Sequence, residues 1–242
     1  MSDTYEIRPV ARIKTDFGEK FGIPRQSGLV PSLRGRIVFE PEFRNPDAVR
    51  ELDGFSHIWL IFGFSEVRKN TPAGEKDWMP MVKPPRLGGK RKVGVFASRS
   101  PYRPNSLGLS VVRLISVSID EEEGPVLEVG GADLLDGTPI YDIKPYLPYG
   151  DSIADASSGY SVSKDKFVSV EIPDDIAQLI PADKLETLKD VLALDPRGAY
   201  EKQPDYVYGM NFAGFDIRFR IEDDTAKVFE AVRTEDSPKH IK

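Results

Sequence analysis

The chain has 242 residues, 40% of them hydrophobic and 30% charged, which is enough apolar material for a packed core and excludes wholesale disorder. It contains no cysteine and only two histidines, His57 and His240, which excludes disulfide frameworks, thiolate zinc sites, iron–sulfur clusters, cysteine nucleophiles and multi-histidine metal cages. The net charge of −6 hides a division: residues 1–113 carry 20 basic against 12 acidic side chains, and residues 114–242 carry 13 against 27, so only the front of the molecule suits a polyanion.

Taken in chain order, the N-terminus Met1-Ser2-Asp3-Thr4-Tyr5 lacks the basic and apolar regions of a signal peptide. The strongly apolar stretch Ile58–Phe64 is far too short to span a bilayer. A cytoplasmic protein with no membrane partner is expected. Short β-branched and aromatic runs between Gly, Pro and Asp punctuation predict strands at Ile7–Ile13, Ser32–Phe39, His57–Phe64, Val93–Phe96, Val111–Ile119, Pro125–Gly130 and Ile140–Tyr146. His57–Phe64 is apolar on both faces and reads as a central strand. Ile115–Ile119 alternates, predicting one wet face, and Asp120–Gly124 reads as a solvated hairpin turn. A short helix is expected over Asn45–Leu52, with Asn45 as cap and Pro46 at the first helical position.

Seven short strands without a βαβ rhythm predict a mainly β protein with a closed or nearly closed barrel. The expected organisation is a β-barrel-like N-terminal domain over residues 1–150, a linker over 151–162 rich in Ser, Ala, Asp and Gly, and a small α+β C-terminal domain over 163–242. In the latter, Pro173–Leu194 has helical periodicity that Pro181 splits, and Tyr206–Tyr208, Phe215–Ile221 and Val228–Val232 read as strands. Arg68–Lys92, rich in Pro and Gly, is a long loop of the kind that carries function or is disordered.

Three constellations can carry chemistry. Lys83, Arg86, Lys90, Arg91, Lys92, Arg99 and Arg103 are seven cations in twenty-one residues, and no acidic residue occurs from 78 to 119. Such a field suits nucleic-acid phosphate; the alternative is a solvated loop that keeps the protein soluble. Ala97–Gly108, with two arginines, two prolines, Tyr102 and Asn105, is either a rigid donor-rich loop for a small anionic or zwitterionic ligand or simply a well-made turn. Asp133–Tyr146 places Asp136-Gly137 in a tight turn, where the carboxylate can accept a ligand hydroxyl or ammonium, or bond local backbone. Pro24-Arg25-Gln26 offers two hydrogen-bonding side chains behind a proline, and His57 reads as a satisfied core histidine in preference to a base.

Pro24-Arg25-Gln26, Phe55–Trp59, Pro84–Gly89, Val95–Ser100 with Arg103-Pro104-Asn105, and Asp136–Pro139 with Asp142–Tyr146 occur in the order seen in the TrmO (YaeB, TsaA-like) family, which the chain resembles over about residues 5–150. Leu194–Tyr200 and Phe212–Gly214 also resemble the C-terminal extension of bacterial members, with Gly198 where Pro is more usual. The resemblance implies an S-adenosyl-L-methionine-dependent methyltransferase on a β-barrel, working without metal as a homodimer. It would add an N6-methyl group to N6-threonylcarbamoyladenosine at anticodon-loop position 37 of tRNA. Carried over by motif, the cofactor contacts would be Pro24, Arg25, Gln26, Arg99, Leu109, Asp136, Gly137, Thr138 and Pro139, with Ser65 and Glu66 standing where the family has two more. Lys83, Arg86, Lys90, Arg91, Lys92 and Arg103 would then hold the anticodon stem-loop. The resemblance assigns no catalytic residue; Asp136 and Asp142 are candidate proton acceptors. The competing readings are a non-enzymatic RNA-binding barrel and a small-molecule methyltransferase.

Overall fold

Alternation of inward and outward side chains rolls the first half of the chain into a closed six-stranded barrel in which every pairing is antiparallel. The computed structural model describes residues 5–64, 66, 78–84, 87, 90–161, 167–197 and 206–236. The barrel strands are β1 (Ala11–Thr15), β2 (Arg34–Phe39), β3 (His57–Gly63), β6 (Leu107–Asp120), β7 (Gly124–Gly130) and β8 (Pro139–Pro145). They follow one another around the barrel as β1-β2-β7-β6-β3-β8. Ile13, Ile37, Ile58, Leu60, Val112, Leu127, Val129 and Ile140 fill the interior, as a barrel this small requires.

Several elements differ from the sequence expectation for local reasons. The first strand begins at Ala11, not Ile7; its pairing opens with the Val10 N–H on the Ile140 carbonyl, one residue after Pro9, which has no N–H to give. Asn45 does cap, accepting from the Asp47 N–H at 3.0 Å, but the turn over Pro46–Val49 is 3-10 and stops before Leu52. Val93–Phe96 supplies only the two-residue β5 (Val93–Gly94), paired with β4 (Met81–Val82), before the chain tightens into a 3-10 turn over Val95–Ala97. The hairpin of β6 and β7 runs beyond the barrel wall, so Ile115 and Ile119 are exposed and only Val117 of that column packs on the core. Its turn is the expected one, with Asp120 Oδ1 accepting the N–H groups of Glu122 and Glu123 at 2.9 Å.

The second half forms a four-stranded sheet, β10 (Tyr208–Phe212), β11 (Phe215–Glu222), β12 (Thr225–Arg233) and β9 (Ser169–Glu171), in that order, with β9 parallel to β12. The single-turn helix α1 (Pro148–Asp151) follows the barrel, and α2 (Asp174–Ala177) and α3 (Ala182–Ala193) are divided at Pro181. Among the described residues no helix is long and apolar enough to cross a membrane. The core of this sheet takes Phe17, Val30 and Leu33 from the segment between β1 and β2. Phe17 bridges to Phe212 through the backbone and packs edge-to-face on its ring at 5.4 Å. The Lys184 Nζ–Asp16 Oδ2 pair at 2.7 Å and the Ser32 Oγ–Asp190 Oδ2 bond at 2.9 Å add polar ties between the two halves.

Candidate active site

In an antiparallel barrel, successive connections gather alternately at its two ends. One end receives residues 40–56 and 121–123. The other, where β1, β3 and β7 finish and β2, β6 and β8 begin, receives residues 16–33, the described residues between 64 and 106, and 131–138. The proline–arginine–glutamine motif, the cationic loop, the arginine–proline loop and the Asp136 turn therefore all lie at one mouth.

The contacts there are specific. Arg99 donates from Nη1 to Gln26 Oε1, and the Gln26 amide nitrogen donates in turn to the Arg25 carbonyl. Pro24 is buried behind them. The Arg25 guanidinium reaches the second half of the molecule, donating to the Arg197 carbonyl at 3.0 Å, and Arg197 is itself fixed by a two-pronged pair with Asp195 at 2.7 and 2.8 Å. The Gly28 N–H donates to the Gly131 carbonyl at 2.9 Å. Gly131 has φ +72°, and a Cβ there would lie 3.1 Å from Gly28 Cα, so two facing glycines allow the Pro24–Gln26 loop to dock this closely.

Asp133 joins these loops, and the sequence did not single it out as a site residue. Its Oδ1 accepts from Ser110 Oγ at 2.8 Å, and the Ser27 N–H and the Arg99 charge also act on it. Burial nevertheless dominates and pushes its carboxyl above the ordinary aspartate range. The available signal was Ser110 itself, a hydroxyl at an inward position of a column that continues through the buried Val112 and Leu114.

The Asp136–Pro139 turn is anchored to β1. Asp136 Oδ1 accepts the Thr15 N–H at 2.9 Å, and its own N–H donates to the Phe17 carbonyl at 2.9 Å. Gly137 turns with φ +73°, its carbonyl accepts from Arg12 Nη1 at 3.2 Å, and Thr138 Oγ1 donates to the Leu135 carbonyl at 2.7 Å, ahead of the buried Pro139. Leu109, adjacent in β6 to Ser110, points outward and is 54% exposed. Register places Ile61 beside Leu109 and Asp142 on the far side of Ile61. Asp142 thus sits on the outer wall and Asp136 at the mouth. Glu66 is half-buried after β3; Ser65 lies outside the described residues.

Lys83, Lys90, Arg91 and Lys92 are exposed, and none is ion-paired among the described residues; Arg86 lies outside them. Arg103 is partly committed within its own loop, where Nη1 donates to the Ser98 carbonyl at 2.8 Å and to that of Val95 at 3.3 Å. His57 is not a core residue. It lies half-buried on the outer column of β3, with Nδ1 bonded to Ser56 Oγ at 2.9 Å and its ring edge-on to Tyr146. An open crevice of about 430 Å³ between the two halves is lined by Asp16, Asp136, Asp183 and Lys184 among others. Of the expected cofactor-contact residues it includes only Asp136, and three carboxylates against one ammonium make it unsuitable for phosphate.

Comparison with known proteins is consistent along the chain. The model of the tRNA-methyltransferase O N-terminal domain matches residues 12–152, and that of the TrmO C-terminal domain matches residues 168–234. The chain is 37% identical over 235 residues to the tRNA (adenine(37)-N6)-methyltransferase of Escherichia coli, covering 93% of this chain and 97% of that protein. It is 38% identical over 224 residues to a putative S-adenosylmethionine-dependent methyltransferase of Pseudomonas aeruginosa, covering 89% and 92%. The crystal structure of TrmO from Pseudomonas aeruginosa superposes with a TM-score of 0.74 at 33% identity, covering 95% of this chain and 99% of that one. On these matches across both halves, the chain belongs to the tRNA-methyltransferase O (TrmO) family.

Proposed function

We propose that this chain, as a homodimer, transfers a methyl group from S-adenosyl-L-methionine to N6 of N6-threonylcarbamoyladenosine at anticodon-loop position 37 of transfer RNA. The observation that carries the reading is the convergence of three sequence-distant loops on one barrel mouth through the Arg99–Gln26 bond, the Gly28–Gly131 bond and the Ser110–Asp133 bond. The names of its relatives supply the reaction class.

The donor set fits the cofactor. Arg25, Gln26 and Arg99 present nitrogen donors suited to a carboxylate, Asp133 and Asp136 present acceptors suited to an ammonium or ribose hydroxyls, and exposed Leu109 presents apolar surface suited to a purine. When bound, the cofactor supplies an electrophilic methyl on a sulfonium. The protein's part is to fix two reactants in line and exclude water, an effect of about 7–11 kcal/mol in well-oriented reactions. An adenine N6 nitrogen is a weak nucleophile, so a carboxylate accepting its proton assists the transfer. In this reading Lys83, Arg86, Lys90, Arg91 and Lys92 neutralise phosphates of the anticodon stem-loop.

The decisive measurement is mass spectrometry of nucleosides from tRNA of cells with and without the gene. The methylated threonylcarbamoyl nucleoside should vanish in its absence and return with the wild-type chain; persistence would overturn the reading. Calorimetry should show S-adenosyl-L-methionine binding, and its absence with RNA binding intact would leave a non-enzymatic barrel. Single-turnover methylation by Asp136→Ala and Asp142→Ala separates the two acceptors: the variant that loses at least about 100-fold carries the proton. The residue whose alanine variant keeps the wild-type rate is not the acceptor.

A further inference from the structure

The cationic loop also presents apolar surface. Phe96 is 74% exposed, and within the same small lobe Met79 and Met81 are about half exposed and Tyr102 is 43% exposed. Single exposed apolar residues are ordinary, whereas four large ones together mark a contact surface. The lobe is well built. Met81 and Val82 pair with Gly94 and Val93, the Met79 N–H donates to the Tyr102 carbonyl at 3.1 Å, and the Val95 N–H donates to the Pro80 carbonyl at 3.0 Å.

Phe96 sits at the tip of a turn fixed on every side. Val95 before it is buried, and the Val95 carbonyl accepts from Ser98 N–H, Ser98 Oγ and Arg103 Nη1. After it, the Ala97 carbonyl accepts from Tyr160 Oη at 2.7 Å. Arg103, held by two carbonyls, places its guanidinium carbon 5.8 Å from the centre of the Phe96 ring. The ring is thus held rigidly, with a cation as companion and most of its surface outward. The same stretch of chain carries Lys83, Lys90, Arg91 and Lys92, exposed and with no ion pair among the described residues, and no acidic residue occurs from 78 to 119. Elsewhere on the barrel Arg12, Lys14 and Arg36 are neutralised, by Glu40, Glu123 and Glu123 respectively.

An exposed aromatic ring among uncompensated cations has the chemistry of a single-stranded nucleic-acid site, where cations follow the backbone and aromatic faces stack the bases. We propose that Phe96, backed by Arg103, is a stacking platform for an unpaired base of the RNA loop, with Lys90, Arg91 and Lys92 holding the adjacent phosphates. The inference rests on the proposed RNA substrate. It adds a base contact to what charge alone supplies. A self-association face built from the same apolar residues would instead juxtapose like charges from two copies, which disfavours it.

The test uses the full chain with an anticodon stem-loop RNA carrying 2-aminopurine at successive loop positions. Wild-type protein should quench one position, and Phe96→Ala should abolish that quench and raise the RNA Kd about 5- to 150-fold. Phe96→Trp should retain both, Phe96→Leu should behave as alanine, and S-adenosyl-L-methionine affinity should stay unchanged in all three. The slope of log affinity against log salt should be unaltered by Phe96→Ala and flattened by about 2–3 in the Lys90, Arg91, Lys92 triple alanine variant. Unchanged quench and Kd in Phe96→Ala, with wild type binding and methylating RNA, overturns the platform alone. Failure of wild type to bind RNA overturns the RNA reading and the platform with it. Conversion of a wild-type dimer to monomer by Phe96→Ala in sedimentation assigns the face to a second copy and also overturns the platform.

Discussion

Asp133→Asn will lose cofactor affinity without losing stability at neutral pH. In the wild type, burial raises the Asp133 carboxyl pKa, and the Ser110 hydroxyl, the Arg99 charge and the Ser27 N–H only partly offset it. The native state therefore holds the proton more tightly than the unfolded chain, and ionisation of this group works against folding. The sign follows from linkage: the penalty is absent below the unfolded value of about 3.9, grows as pH rises toward the higher folded value, and stays constant above it. Asparagine keeps the acceptor toward Ser110 and removes the buried charge. Urea midpoints of wild type minus variant should consequently fall between pH 3.5 and neutrality. The cofactor, however, loses the carboxylate proposed to accept its ammonium or ribose hydroxyls. A hydrogen bond to a charged group contributes about 1.5–3 kcal/mol, so S-adenosyl-L-methionine affinity should drop about 10- to 150-fold by calorimetry. Undiminished affinity would make Asp133 a structural residue only.

Phe17→Ala will cause the largest loss of stability. Phe17 is fully buried, follows β1 directly, and yet packs in the core of the other half against Phe212. Truncating a buried phenylalanine costs about 3–5 kcal/mol, which for a chain of this size lowers Tm by about 6–20 °C. The Phe17 carbonyl also accepts the Asp136 N–H, so the turn at the mouth should loosen in the same variant and cofactor affinity should fall. Thermal denaturation followed by tyrosine and tryptophan signals measures the first effect and calorimetry the second. A Tm within 2 °C of wild type would show that the two halves are not coupled through this ring.

Local chemistry was legible where a residue's own conformational preference decides the outcome. Asn45 caps its turn, Asp120 and Gly124 close their hairpin, Pro181 divides two helices, β-branched and aromatic runs mark β2, β3 and β7, and alternation marks β11. The cationic stretch was legible for a different reason: charge is additive along the chain and needs no fold to be counted. Expectations failed where an environment made elsewhere intervenes. Ile115–Ile119 alternates as a half-buried strand does, but the hairpin overshoots the barrel and leaves Ile115 and Ile119 exposed, with only Val117 packed on the core. His57 reads as a satisfied core histidine, yet it stands half-buried on the outer column of β3.

The sequence by itself determined the metal-poor composition, the strand-rich first half and the position of the cationic loop, because each follows from residue type and spacing. Only the tertiary structure decided that Phe17, Val30 and Leu33 serve the second core and that Ser110 meets Asp133 beside Arg99. Those contacts bridge 23 residues in one case and nearly 200 in another. Barrel closure fixes them: once six strands share one ring, three distant connections must end at one mouth, and burial there, not spacing along the chain, sets what each carboxylate can do.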